Sequence, residues 1–482
     1  MIVCEESVPR SPQLAYQPRI EPLDALAAAF VELARYDNTN TNQIVIVQGV
    51  VDAGRLASAV VRAASAFPLL LSRISPRVRE PDIASIVVAV RHCEGECDFS
   101  DDSFRRLLMS LNQHHRLDWR RRLPFQVYLV LDAGRRKSCV YVSSAHAVAD
   151  ARSDCLLLER IMWEYRHCEI DRARASGGGR IHPHASLRQI RPQWYGLIAR
   201  VARLAHAGAA IAADVARRDY GMPCKRDGRV PSDDIDFYHS LMDEGLAQTV
   251  GQMARRAGVT LNTVLSAALA RLLERLNDAR RPVRLTCAVS LRFTLGREYV
   301  DTFRNYLVAT ALRVPAGLDA CGLIAYIDRS MREARRSPGL LRELGRLEWL
   351  TVMLKVPMLY PLTRAVVRRV QGTNACFSNP GLIAEDLSTF GVSSTGDDRP
   401  HDVLHYTGFG CLVEPYDFIL YTPTINGRLQ LDAVYRRAAF GDVRTQLIER
   451  YCDELRLLAS ELDGRLPARA LDAVPPETGV SA

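Results

Sequence analysis

The chain has 482 residues, beyond the size at which a single core stops growing, so two domains are expected. Hydrophobic residues make up 48% and charged residues 24%, a globular composition that excludes a disordered chain. The formal net charge is +8, yet only three of the 63 basic residues are lysine, and no basic block is interleaved with aromatics, which argues against nucleic-acid binding.

The N-terminal stretch MIVCEESVPRSPQ has neither a basic region nor an apolar core, so no secretory signal is expected. The first organised unit runs from about Ile20 to Leu71. An apolar helical stretch, Leu23 to Ala34, leads through the polar turn Asp37-Asn38-Thr39-Asn40 into a β-branched strand, Gln43 to Gln48. Asp52 then caps a helix whose apolar face includes Leu56, Val60 and Val61, ending before Phe67-Pro68-Leu69-Leu70. His92-Cys93 with Cys97 lacks a second pair to complete a tetrahedral metal site. The twelve cysteines have no paired spacing and read as buried free thiols of a reducing cytosol.

Residues 125–144 predict a hairpin: Phe125 to Leu131, a turn at Asp132-Ala133-Gly134, and a return over Ser138 to Ser144. A helix follows from about Ser153 to Tyr165, and the polar, Gly-bearing residues 172–190 read as a linker. An amphipathic segment, Trp194 to Ala213, and a polar stretch at 219–236 lead to the second half. That half predicts a helix ending near Gly258, a helix capped at Thr260 through Leu276, and a strand from Val283 to Leu291. Another strand, Leu307 to Val314, precedes a helical region at 319–370. Short strands at Ala375 to Ser378, Phe418 to Pro423 and Arg428 to Val434 precede a last helix at 440–461.

Two apolar stretches fail as membrane spans. Residues 194–213 are broken by Arg200, Arg203 and His206, and Leu350 to Leu362 is too short and holds Lys355, Pro357 and Pro361. The latter run is expected to pack in the core, with the lining of an acyl tunnel as its alternative. These features predict a soluble, cytoplasmic α/β protein. Its divisions are an N-terminal lobe over 1–190, a crossover over 191–235 and a C-terminal lobe over 236–482.

The string His-x-x-x-Asp occurs four times, at His114/Asp118, His146/Asp150, His167/Asp171 and His239/Asp243, so context must choose among them. His114 lies in a charged stretch, His167 at the end of a helix before a Gly-rich loop, and His239 just before a helix beginning near Asp243. Only His146 follows a buried β-branched strand and precedes an amphipathic helix, with small neighbours Ala145, Ala147 and Ala149 leaving room for a substrate. An imidazole held there is partly desolvated, with its protonation set by a neighbour. A satisfied core histidine is the other reading.

Several landmarks stand in one order along the chain: FPLLLSRI from Phe67, AHAVAD from Ala145 to Asp150, TLNTVLSAALA from Thr260, Ser290-Leu291-Arg292, Phe303-Arg304-Asn305, and FSNPG from Phe377 to Gly381. Together they resemble the chloramphenicol-acetyltransferase-like acyltransferases. That superfamily includes condensation domains of non-ribosomal peptide synthetases, polyketide-associated acyltransferases and wax-ester synthases. The resemblance implies two similar mixed-sheet lobes forming a V around a central tunnel. His146 would be the general base that deprotonates a hydroxyl or amine acceptor, a role suited to a group titrating near neutral pH. Asp150 would brace the motif through an ion pair, with Arg292 as candidate partner. Asn305 and Ser378 are candidate hydrogen-bond donors to the thioester oxyanion, against ordinary strand-end roles.

The resemblance implies no permanently bound cofactor and no metal. The donor would be an acyl-coenzyme A or a phosphopantetheinyl carrier protein, either of which suits a mildly positive field. The motif departs from the family's in carrying Ala145 for its first histidine and Ala151 for its terminal glycine. Most further signatures of modular condensation domains are missing, which favours a stand-alone acyltransferase. A free-standing condensation enzyme working on carrier-bound substrates, or a catalytically inactive binding relative, are the alternatives.

Overall fold

The computed structural model describes residues 23–72, 86–114, 116–120, 122–167, 184–217, 234–277, 282–384, 388–392 and 400–463. The N-terminal stretch, Arg73-Ile74, the glycine run at 177–179 and nearly all of the polar stretch at 219–236 lie outside them. The described residues fall into two compact units. Unit one draws on Met1–Ile190, Gly296–Asn305 and Asp386–Cys411, and unit two on Arg191–Leu295, Tyr306–Glu385 and Leu412–Ala482. Two segments of the second half therefore fold with the first. Residues 191–217, assigned to the crossover in the linear division, group with unit two and include the helix Leu197–Ala216.

The strands in chain order are β1 (Asn40–Gln48), β2 (Val88–His92), β3 (Phe125–Leu131), β4 (Lys137–Ala145), β5 (Ile235–Leu241), β6 (Val283–Ser290) and β7 (Leu307–Val314). They continue as β8 (Ala375–Ser378), β9 (Leu382–Ala384), β10 (Thr389–Val392), β11 (Pro400–Phe409), β12 (Phe418–Tyr421), β13 (Thr424–Ile425) and β14 (Arg428–Arg436). Each unit holds one mixed sheet, so the class is α/β. Unit one's sheet runs β10-β11-β1-β4-β3-β2, antiparallel except for the β2–β3 pair. Unit two's sheet runs β7-β6-β8-β12-β14-β13-β9, with β5 also paired to β14.

Strands β1 and β4 are buried almost end to end, because helices cover one face and polar groups find partners on the other. The helix Ala53–Ser65 packs against the helix Ala151–His167, and Asp52 caps the former by accepting from the Arg55 amide at 2.6 Å. In unit two, Thr260 caps the helix Leu261–Leu276. The preceding helix, Glu244–Ala257, ends on Gly258, whose φ of +65° is open to glycine and costly for other residues.

The apolar run Leu350 to Leu362 corrects the expectation drawn from its composition. Val352, Val356, Met358, Leu359 and Leu362 are exposed, so most of the run neither packs in a core nor lines an enclosed tunnel. Hydropathy reports how apolar a segment is and carries no information on which side of the molecule it faces.

Candidate active site

β4 ends at Ala145, which pairs with Asn40 of β1. The chain then turns tightly through residues 146–148, held by the Val148 amide on Ala145 O at 2.9 Å. The His146 amide donates to Thr39 O at 3.0 Å, so the turn is pinned to the residue preceding β1. His146 is buried, and its ring lies tilted against Phe30 with centroids 4.3 Å apart.

His146 Nδ1 lies 2.8 Å from the carbonyl oxygen of Ala149. A carbonyl oxygen only accepts, so the Nδ1 nitrogen carries the proton and donates it, which leaves Nε2 as the basic nitrogen. The Asn305 amide Nδ2 donates to His146 O at 2.6 Å and also stands 3.3 Å from Nδ1. With Nδ1 already a donor, the first of these contacts is the hydrogen bond. Asn305 thus holds the backbone of the turn. Burial lowers the imidazole pKa below its ordinary value, opposed by the Ala149 carbonyl and by the charge of Asp150.

Asp150 sits just before the helix Ala151–His167 and is buried. Its Oδ1 accepts from both the Ser153 amide and the Ser153 hydroxyl at 3.0 Å, which makes it a helix N-cap. Ser153 Oγ accepts in turn from the Arg304 amide at 3.1 Å. That is one of several ties that fasten residues 296–305 to unit one. Arg304, fully buried, sits 3.3 Å from the Asp24 carboxylate, which also caps the helix Ala25–Leu33. Arg152 pairs with Asp301 at 2.8 Å, and Phe303 packs on Phe67 with ring centroids 4.7 Å apart. Two of the sequence landmarks, FPLLLSRI and Phe303-Arg304-Asn305, therefore meet beside the histidine turn.

Of the sequence candidates, His146, Asp150 and Asn305 come together in unit one. Arg292 and Ser378 belong to unit two. Arg292 begins a short helix after β6, buried, with its guanidinium 5.1 Å from the centre of the Tyr306 ring. Ser378 ends β8, and its carbonyl accepts from the Thr422 amide at 3.1 Å.

The competing histidines are placed otherwise. His167 closes its helix stacked on Trp163, with Nδ1 2.8 Å from Trp163 O. His239 lies inside β5 and meets Asp432 of β14 at 2.6 Å, while Asp243 caps the helix Glu244–Ala257. Its partner comes from strand register, not from the four-residue spacing. Asp154 was not singled out from sequence. It is fully buried one turn after Asp150, and its Oδ2 accepts from the Thr41 hydroxyl. Burial pushes its carboxyl up to about 7.

No family model matches the sequence, and no curated protein matches it either. Solved structures do match over nearly the whole chain. The first condensation domain of the calcium-dependent antibiotic synthetase, in complex with a substrate analogue, aligns at 15% identity with a TM-score of 0.65, covering 94% of this chain and 99% of that one. This chain has the condensation-domain fold. The starter condensation domain of rhizomide synthetase, in complex with C8-CoA and Leu-SNAC, aligns at 16% identity and a TM-score of 0.62, over 94% of this chain and 96% of that one. The SgcC5 protein from Streptomyces globisporus aligns at 14% identity and a TM-score of 0.60, over 91% and 99% of the two chains. Identities this low carry the condensation-domain fold and leave the chemistry to be argued from the site.

Proposed function

We propose that this protein is an acyltransferase that moves an acyl group from a thioester donor to a hydroxyl or amine acceptor, with His146 as general base. The carrying observation is the Nδ1–H bond to Ala149 O, which fixes the tautomer and presents Nε2 as the proton acceptor. In the step, Nε2 takes the acceptor's proton as its oxygen or nitrogen attacks the thioester carbonyl carbon. The tetrahedral intermediate collapses, the carbon–sulfur bond breaks, and the imidazolium returns the proton to the leaving sulfur. No acyl-enzyme, metal or redox group takes part. The donor is an acyl-coenzyme A or a carrier-bound thioester, in keeping with the C8-CoA and Leu-SNAC held by the rhizomide synthetase domain. Asp150 shapes the turn as a helix cap, Asn305 positions it, and the reading does not depend on Arg292 or Ser378.

The test is a mass-spectrometric screen of the purified protein with mixed acyl-coenzyme A thioesters and candidate alcohols and amines, run beside carrier-loaded donors. Acylated product from either donor class supports the reading and separates a coenzyme A enzyme from a free-standing condensation enzyme. No product from any pair, with donor still bound, would support an inactive binding relative.

Two expectations follow from the site geometry. The base must be unprotonated to act, and burial lowers its pKa, so the acid limb of kcat/KM against pH is expected to inflect below the ordinary imidazole value of 6.5. An inflection above that value would contradict the desolvated site. Asn305→Ala removes the donor to His146 O and loosens the turn. It is expected to lower kcat about tenfold with KM little changed, at a stability cost of about 1 kcal/mol. An oxyanion role would instead cost on the order of a hundredfold or more.

A further inference from the structure

The hydrogen bond from Nδ1 to Ala149 O fixes one point of the His146 ring, and Asn305 holds the backbone carbonyl of the same residue. Neither contact fixes the plane of the imidazole. Rotation of a histidine ring about its bond to Cβ is intrinsically broad, and a single hydrogen bond tolerates some swing. The other nitrogen, Nε2, has no protein partner among the described residues and is not sealed from solvent. A base that must meet an acceptor proton at hydrogen-bond distance needs a further contact to aim it.

Phe30 supplies that contact. Its ring lies against the imidazole with centroids 4.3 Å apart and planes inclined by 38°. Phe30 is the largest side chain of the helix Ala25–Leu33, yet it is only partly buried, and Leu26, Ala29 and Val31 supply the helix's core contacts. A core role alone does not account for an aromatic residue there. The helix is itself anchored beside the histidine turn. Asp24 caps it by accepting from the Ala27 amide at 3.0 Å, accepts from the Leu187 amide at 3.1 Å through its other oxygen, and pairs with buried Arg304 at 3.3 Å. Arg304 adjoins Asn305 in the chain. One buried ion pair thus places both groups that grip His146, the phenyl on its ring and the amide on its backbone. All of these residues belong to unit one.

We propose that Phe30 is a positioning residue for the general base: it holds the His146 ring in one plane and keeps water off that face, so that Nε2 meets the acceptor in a fixed direction. This rests on His146 being the base and adds to that reading a residue that takes no proton itself. Burial is the largest influence on the ring's protonation and lowers its pKa, against the Ala149 carbonyl and the charge of Asp150. Phe30 provides part of that burial, so its removal moves the pKa back toward the ordinary 6.5.

The test is a set of three variants, Phe30→Ala, Phe30→Leu and Phe30→Tyr, in the full chain labelled with ¹³C-histidine, with His146→Ala assigning the His146 ring signal. Phe30→Ala is expected to move the His146 titration upward and to lower kcat about tenfold with the donor's KM unchanged. Phe30→Tyr keeps a ring against the imidazole and is expected to restore both. Phe30→Leu refills the space without a flat face, so it is expected to recover the urea midpoint while kcat stays severalfold down. An unmoved His146 titration in Phe30→Ala, or kcat fully recovered by Phe30→Leu, overturns the inference. The titration needs no turnover, so the two readings fail separately. An unmoved titration beside an inactive His146→Ala sinks the role of Phe30 alone. A moved titration beside a fully active His146→Ala removes His146 as the base, and Phe30 as its positioning residue with it.

Discussion

His146→Ala is expected to lower acyl transfer about a thousandfold with the fold retained. A positioned general base contributes about 10²–10⁴ in rate. This base is a single imidazole whose proton inventory is set by one carbonyl, so nothing adjacent replaces it: Asp150 is occupied as a helix cap and Asn305 has no basic atom. The alanine leaves Ala149 O without its ring donor at a cost of about 1 kcal/mol, too little to unfold a protein of this size. Single-turnover rates with pre-bound donor separate chemistry from binding. A rate within threefold of wild type would place the base elsewhere. Donor affinity unchanged beside a thousandfold lower rate is the pattern of a group that acts in the transition state alone.

The histidine turn was legible because three local signals coincide there: a β-branched strand, small residues after it, and a helix start one turn on. The strands β3, β4, β6, β7 and β8 were readable for a related reason, since their apolar runs are bounded by turn residues or caps. β11 was not, because its sequence PHDVLHYTGF opens on a proline and has no sustained apolar or β-branched run, and it owes its place to pairing with β1 over 300 residues away in sequence. β5, with the sequence IDFYHSL, was hidden in the same way, and with it the His239–Asp432 contact. The return of residues 296–305 to unit one leaves no periodic trace either. It is carried by single side chains, Arg304 on Asp24, Asp301 on Arg152 and Phe303 on Phe67, and long-range pairings of this kind are invisible to local patterning.

Asp154 was missed for an instructive reason: on a helical pattern an aspartate reads as solvent-facing, yet this one is fully buried against β1. Its carboxyl is raised from 3.8 to about 7 by burial, with the hydroxyls of Thr41 and Ser144 opposing and the charge of Asp150 adding to the rise. The folded chain therefore holds a proton between about pH 4 and 7 that the unfolded chain has released. Stability from this group is full below the unfolded value and is lost as pH rises through the folded one, at up to about 1.4 kcal/mol per pH unit. Asp154→Asn keeps an oxygen for Thr41 and removes the charge. The variant is expected to match wild type near pH 4 and to exceed it by roughly 4 kcal/mol near pH 8, the difference growing through the window and flat above it. Urea midpoints measured across that range check the sign as well as the size. Parallel wild-type and variant curves would mean that Asp154 stays ionised in the fold. A variant less stable at every pH would mean that the carboxylate is a required partner, and not a protonated filler beneath the histidine turn.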